Sequence, residues 1–402
     1  MKIVIVGGSI AAYTAYKRIK QIDKNIELKI LSKENSKPYS KMLLPYMLNG
    51  KVNMFYEEID DNDIVINSEA TSIDTQNKTV KTKNNDVFEY DKLLIATGAD
   101  AYIPTFVGNY SKESIIGIRY LSDIEKLNKR LSKCKDKHIV LVGAGLVTLE
   151  MAWALVKKGF SITFIVRSNR ILSQILDKKS ADILEKYIEN NYPVKFIKEN
   201  DIESIEENKD NLHITLTTGN TLKSCAVIVG KGVRPNIEFL KDTKLFNEKG
   251  IIIDSFMQTV DKDIYAAGDV TLFDDVIQNK KTRHAIWPTA VYQATIAAKN
   301  ILGIKQKSLS ELSRNILPVF NLNIFSGGAS NTENELETYT IENGLEYRKI
   351  AIKNGKLKGF IIVGDLRNYG IYTYVAQRQI NISDNINELL YGTLTQEHVK
   401  NK

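Results

Sequence analysis

Cysteine is nearly missing from this chain. Only two occur in 402 residues, Cys134 and Cys225, far apart and in no Cys-x-x-Cys pair. That usage excludes a Cys-x-x-Cys redox couple and fits a reducing, cytoplasmic setting. Long apolar runs are missing too. No segment approaches the roughly 20 residues that span a bilayer, so no membrane association is expected. The apolar start is short, breaks at Gly7-Gly8 and reads as a first strand rather than a secretory leader. A stripe of one charge is also absent. The net charge is +7, but Lys and Glu are interleaved. This argues against nucleic acid. It leaves a solvated Lys-rich surface, or a basic docking face for an acidic partner. What is present is ordinary for a globular protein, with 43% hydrophobic and 26% charged residues. The length calls for two or three domains.

The chain is organised around its first stretch, Lys2 to Ala12. A β-branched run enters a turn of small residues, Gly7-Gly8-Ser9, and a helical pattern follows. Such a turn lets backbone N–H groups approach a pyrophosphate, with the positive end of the helix behind them. Ser9 and Ala12 stand where the second and third glycines of a dinucleotide fingerprint are usual. The next strand, 26–31, ends at Ser32, and Glu34 follows as the candidate for an adenosine ribose; the plainer reading is a solvated loop glutamate. Lys41 lies in an apolar loop, placed either near phosphate or flavin or as a snorkelling surface lysine. A buried strand then ends in Ala96-Thr97-Gly98, a turn small enough for a ligand to pass closely.

The opening pattern repeats at His138–Glu150, and two fingerprints imply two dinucleotide sites. Gly143 and Gly145 are in place, and Leu146 opens the helix. Thr148 replaces the third glycine, so its side chain pushes the helix outward or must find a pocket, with weakened nucleotide binding as the expected result. Val166 occupies the position of an NAD-selecting acid. Arg167, Ser168 and Arg170 beyond it either hold a 2′-phosphate or face solvent. Gly232 follows the last strand of this half. A later strand ends in Gly268-Asp269, where a carboxylate can accept hydrogen bonds from hydroxyls. A helix starts at Trp287-Pro288 and includes Ala290; its N-terminus would favour negative charge on a ligand. Near the end, Asn354-Gly355 marks a hairpin and 366–378 reads as a helix.

These motifs, in this order, resemble the FAD-dependent pyridine nucleotide-disulfide oxidoreductase superfamily. The nearest likeness is to its rubredoxin reductase, nitrite reductase FAD-module and NADH oxidase branch. The resemblance implies an α/β fold of two Rossmann-like dinucleotide-binding domains, one discontinuous, plus a small α+β C-terminal domain. FAD would take residues 1–111 and 236–303, NAD(P)H would take 112–235, and 308–402 would form the last domain. It implies that Asp269 binds the FAD ribityl chain and that Glu150 lies near the nicotinamide, with Lys41 and Glu150 as the candidate catalytic residues. Members that reduce coenzyme A disulfides or peroxides carry a redox cysteine just before Leu-Pro-Tyr. Here Met42 holds that position, and Lys41 stands where relatives often have Arg. His398, without a following Pro, is the only histidine in the C-terminal region. No metal site is expected. The implied activity is transfer of electrons from NAD(P)H through FAD to a small redox protein such as rubredoxin or ferredoxin, to oxygen, or to a small acceptor. The alternatives are an FAD enzyme with a degraded nicotinamide site, and a non-catalytic electron-relay subunit. NADH against NADPH, and monomer against homodimer, stay open.

Overall fold

A computed structural model describes residues 1–50, 52–208, 211–331 and 336–400. The chain divides into two compact units. One holds residues 1–43, 53–100 and 233–311; the other holds 44–52, 101–232 and 312–402.

The first unit is built on a five-stranded parallel sheet. Its strand order is Ile264–Ala266, Lys92–Ile95, Lys2–Val6, Glu27–Leu31 and Ile64–Val65. Ile3, Val4, Ile5 and Val6 are all buried, as a strand covered on both faces requires. Register aligns Val6 with Leu31 on one side and Ile95 on the other, so three carboxyl ends open at one level. The helices Ile10–Ile22 and Trp287–Ile301 present small buried residues, among them Ala11, Ala12 and Ala15 on one and Ala290, Ala294 and Ala297 on the other. Small residues at such positions let helices and strands approach closely. A three-stranded antiparallel sheet, Ala70–Asp74, Thr79–Thr82 and Val87–Glu89, lies between Ile64–Val65 and Lys92–Ile95 in the chain.

The second unit repeats the parallel plan. Its sheet order is Val194–Lys198, Ser161–Val166, His138–Val142, Val227–Val229 and Ile115–Gly117. The helices Leu146–Lys157 and Lys178–Asn191 belong to it. The hairpin turn at 218–220 forms where Leu216 N–H donates to the Asn220 carbonyl at 2.8 Å. Residues from 312 onward join this unit as a five-stranded antiparallel sheet, ordered Arg314–Val319, Leu322–Gly328, Lys356–Val363, Glu346–Lys353 and Glu337–Asn343. Asn354 and Gly355 both take positive φ, 52° and 71°, which suits the two-residue turn of a right-twisted hairpin. The last long helix is Tyr369–Arg378, three residues shorter at its start than the sequence pattern.

The two cysteines are not independent thiols here. Cys134 and Cys225, 91 residues apart in sequence, form a disulfide with a Cα–Cα distance of 5.5 Å. The turn after the helix Leu121–Leu131 meets the end of the strand Thr221–Ser224, a meeting that sequence distance conceals. Among the described residues, no helix is long and apolar enough to cross a membrane.

Candidate cofactor sites

The first site sits at the carboxyl ends of Lys2–Val6 and its neighbours, where the parallel sheet opens. Gly7 has φ +136°, and a Cβ there would lie 2.1 Å from the Ala96 carbonyl oxygen. Gly8 packs over Ser32, whose Oγ would be 2.3 Å from an added Cβ. Gly268 lies against Ala11 and Ala290, 3.4 and 3.6 Å from its would-be Cβ. Gly7, Gly8, Ser32, Ala96, Gly268 and Ala290 are therefore brought together. Thr97 and Gly98 are tied in by Asn236. The Thr97 hydroxyl donates to the Asn236 carbonyl at 2.8 Å, and the Asn236 N–H donates to the Gly98 carbonyl at 3.0 Å.

Ser9 is the N-cap of Ile10–Ile22, but its hydroxyl turns to the Tyr39 carbonyl at 3.3 Å and does not cap the helix. The helix Trp287–Ile301 likewise starts without a side-chain cap, with Pro288 in its first turn. Both helix starts keep backbone donors available for an anionic ligand. Asp269 follows Gly268 and acts electrostatically on Arg283. Burial lowers the Arg283 pKa and the Asp269 charge opposes that. Arg283 Nη2 donates to the Val233 carbonyl at 3.3 Å, while buried Nη1 has no hydrogen-bond partner among the described residues. A glycine-lined cradle, uncapped helix starts and an orphaned guanidinium N–H fit an anionic dinucleotide such as FAD.

Glu34 and Lys41 are brought together as an ion pair. Glu34 accepts from Tyr39 Oη at 2.5 Å and from Lys41 Nζ at 2.8 Å. The lysine pairs with Glu34 and its Nζ lies 5.6 Å from the centroid of the Tyr39 ring. Met42 and Trp287 are largely exposed.

The second site lies at the end of His138–Val142. Gly143 has φ +88°, and a Cβ there would be 2.5 Å from the Gly230 carbonyl oxygen. Thr148 is 1% exposed, so it does find a pocket. Its Cγ2 would stand 2.4 Å from a Cβ on Gly230, which means that a glycine just past the neighbouring strand Val227–Val229 makes the room. Its Oγ1 accepts from Gly145 N–H at 3.0 Å and donates to the Gly143 carbonyl at 2.7 Å. The threonine thus closes the turn from inside. Of the two outcomes open from the sequence, the pocket is the one present, and the helix is not pushed outward. Thr148→Gly would empty a filled pocket instead of tightening the site.

Gly230→Ala should destabilise the protein by about 1–3 kcal/mol through overpacking, and Thr148→Ala in the same chain should restore most of that loss. Thermal melts of the two single variants and the double variant measure it; additive losses would show that the two residues do not share this space.

Glu150, one turn into the helix from Leu146, is largely buried, and among the described residues no cation offsets its charge. Burial alone pushes its carboxyl up to about 7. Tyr46, in the turn Pro45–Asn49, feels the Glu150 charge, and burial followed by that charge raises its pKa. The same turn is anchored on the helix where Asn49 Nδ2 donates to the Ala154 carbonyl at 3.2 Å. Val166 is buried and Arg167 exposed at the end of Ser161–Val166. Arg170 Nε and Nη2 donate to the carbonyls of Leu176 and Ser173 at 3.2 and 3.3 Å. Gly232 holds its turn, its carbonyl accepting from Tyr102 N–H at 2.9 Å.

Sequence reasoning missed Arg283, which reads as one more surface cation in Lys-Lys-Thr-Arg. It also missed Gln293, whose Oε1 accepts from Gly268 N–H at 2.8 Å and from the Thr271 hydroxyl at 3.0 Å. A buried polar brace stands behind the helix start at Trp287. His284 Nε2 lies 3.4 Å from Asp275 Oδ2, and the Thr289 hydroxyl donates to Glu311 at 2.5 Å. None of these carries a local sequence signal.

Two parallel sheets, each ending in a glycine-bearing turn that feeds a helix, define a two-dinucleotide oxidoreductase. Residues 1–294 match the profile of the pyridine nucleotide-disulphide oxidoreductase family, and 314–380 match that of the rubredoxin NAD+ reductase C-terminal domain. The NADH oxidase of Methanocaldococcus jannaschii is 28% identical over 91% of this chain and 88% of that protein. The 3-phenylpropionate/cinnamic acid dioxygenase ferredoxin–NAD(+) reductase component of Photorhabdus laumondii is 28% identical over 75% of this chain and 77% of that protein. In fold, the chain is similar to the covalent putidaredoxin reductase–putidaredoxin complex, with a TM-score of 0.89 at 18% identity over 100% of this chain and 99% of that one. The chain belongs to the pyridine nucleotide-disulphide oxidoreductase family. It is an FAD-dependent NAD(P)H oxidoreductase.

Proposed function

We propose that this reductase delivers electrons directly to a small redox protein of the rubredoxin or ferredoxin type, without a thiol relay. Bound FAD supplies the chemistry, taking an electron pair as hydride from NAD(P)H and releasing electrons singly. Met42 carries the reading. It is 55% exposed, at the position where disulfide-reducing members have their cysteine. A thioether cannot exchange with a disulfide, and Cys134 and Cys225 are bonded to each other in the other unit. The match of residues 314–380 to a rubredoxin reductase domain supports a partner of this size and chemistry.

On this reading Gly7, Gly8, Ser9 and Ala12 cradle the FAD pyrophosphate. Glu34, held by Tyr39 and Lys41, takes the adenosine ribose beside Ser32. Asp269 accepts from the ribityl hydroxyls, and Arg283 supplies a cation to the anionic part of the ligand. The turn Ala96-Thr97-Gly98 and the helix start at Trp287 and Ala290 border the flavin. In the second unit Gly143, Gly145 and Leu146 face the NAD(P)H pyrophosphate, Arg167 the adenosine end, and Gly232 and Glu150 the nicotinamide end. The reaction belongs in the cytoplasm, where NAD(P)H is regenerated.

Anaerobic titration with NADH and with NADPH tests the first half-reaction by bleaching of the flavin. The reduced protein is then mixed with oxidised rubredoxin, with oxidised ferredoxin, or with oxygen. One redox protein should reoxidise it at least about tenfold faster than oxygen, a difference of about 1.4 kcal/mol in barrier. Faster reoxidation by oxygen would make the protein an oxidase, and no bleaching would leave the nicotinamide site without function.

A further inference from the structure

The loop 167–177 follows the strand Ser161–Val166, where a Rossmann domain reads the adenosine end of its dinucleotide. It runs directly behind the fingerprint turn: Leu172 N–H donates to the Ala144 carbonyl at 2.9 Å. Leu172 takes φ +47°, a left-handed conformation that a leucine rarely adopts and that persists only when the surroundings impose it. Two hydrogen bonds to the residues that follow it come from the C-terminal segment. Asn331 Nδ2 donates to the Ser173 carbonyl at 3.1 Å, and the Ser330 hydroxyl donates to the Ile175 carbonyl at 2.9 Å.

The far end of the loop is fixed from the same segment. Asp177 caps the helix Lys178–Asn191, its Oδ1 accepting from Ser180 N–H at 2.9 Å. Its Oδ2 accepts from Tyr347 Oη at 2.8 Å and faces Lys349 Nζ at 3.1 Å, with both charged side chains about 95% buried. Docking of the segment has a separate anchor in the cluster of Trp153, Tyr192 and Phe320, with ring centroids 5.1–5.3 Å apart. The bonds to Ser173 and Ile175 are therefore not needed to attach it. They hold a loop whose opposite side is the phosphate-binding turn.

We propose that the C-terminal segment is a positioning element of the nucleotide site, with Ser330 and Asn331 holding loop 167–177 so that the Gly143–Gly145 turn and Arg167 are set before NAD(P)H arrives. Preorganisation of this kind lowers the cost of ordering the site on binding. The inference rests on the reading that the second unit binds NAD(P)H.

The test uses the full-length, FAD-loaded protein and its Asn331→Ala, Ser330→Ala and doubly substituted forms. Two quantities are measured: the steady-state constants for NAD(P)H, and the dissociation constant of ADP-ribose by calorimetry, which needs no turnover. In the double variant KM and the ADP-ribose constant should rise together by about fivefold or more, with kcat within about twofold and flavin content unchanged. A uniformly loosened fold would lower kcat as well. If the double variant does not fold, partly exposed Asn331→Ala decides alone: a rise of about twofold or more in both constants supports the proposal. Unchanged constants in a folded variant overturn it. Wild-type protein that fails to bind ADP-ribose overturns the nucleotide reading together with the proposal, whereas wild-type binding with an unchanged variant overturns the proposal alone.

Discussion

Gly7→Ala yields protein without flavin. The added methyl group would sit 2.1 Å from the Ala96 oxygen and 2.6 Å from its carbonyl carbon. Neither side can retreat cheaply. Ala96 N–H is bonded to the Val6 carbonyl at 2.8 Å, and Gly7 N–H to the Leu31 carbonyl at 2.9 Å. The backbone at φ +136° is itself closed to alanine. The turn must leave its place, and with it the N–H groups that we propose face the pyrophosphate. A stability loss of about 4 kcal/mol or more is expected, among the largest for one substitution. Asp269→Ala is the milder comparison. It removes a charged acceptor without disturbing the turn, so flavin affinity should fall by about 10- to 100-fold while the fold stays intact. Flavin absorbance per mole of protein, before and after dialysis, separates the two. Gly7→Ala protein that stayed fully yellow would refute the cradle.

Glu150→Gln stabilises the nucleotide-free protein at alkaline pH and not at acid pH. The carboxyl titrates near 7 in the folded chain because burial penalises its charge, against an ordinary value of 4.5. Below about pH 4.5 the group is neutral in both states and contributes nothing to the difference. Between the two values the unfolded chain ionises first, so folding becomes less favourable as pH rises. Above about 7 the penalty is complete, with a ceiling of about 3 kcal/mol at about 1.4 kcal/mol per unit. Partial solvent contact lowers that, and a gain of about 1–2 kcal/mol at pH 8 is the expected reading. Melting curves of both proteins from pH 5 to 8 give the slope. The rate of flavin reduction by NAD(P)H should show a break near pH 7 in wild type that the variant lacks. A difference in stability that did not vary with pH would mean that Glu150 is charged throughout.

Much of this architecture can be read from the chain because parallel strands leave a plain trace. Ile3–Val6 and Ile139–Val142 are unbroken apolar runs, each ending in glycine, and a strand buried on both faces has no other way to look. Asn354-Gly355 is legible for a similar reason, since few residue pairs take two positive φ values together. Contacts set by which strands become neighbours leave no such trace. Thr148 counts as a defect by position, and its compensation, Gly230, lies 82 residues on, just past a strand that only the fold brings alongside. Glu34 reads as an acid just past a strand end, but nothing local says that Lys41 and Tyr39 would both settle on it. The disulfide between Cys134 and Cys225, the partnership of Asp269 with Arg283, and the grouping of residues 44–52 with the second unit are equally non-local.

The division of the first unit into three separated segments also bears on the order in which it is completed during synthesis. Lys2–Val6, Glu27–Leu31 and Lys92–Ile95 leave the ribosome early. Their sheet stays unfinished at one edge until Ile264–Ala266 pairs with Lys92–Ile95. Gly268, Arg283 and the helix Trp287–Ile301 emerge later still. Closing a loop this long costs entropy before its contacts repay it. Most of the second unit, by contrast, is contiguous from 101 to 232 and can begin to collapse while the first unit waits. With the flavin held as proposed, its capture is a late event in the life of the nascent chain. Apoprotein stalled before residue 264 would carry an open edge of parallel strand, the form most exposed to aggregation and to quality control.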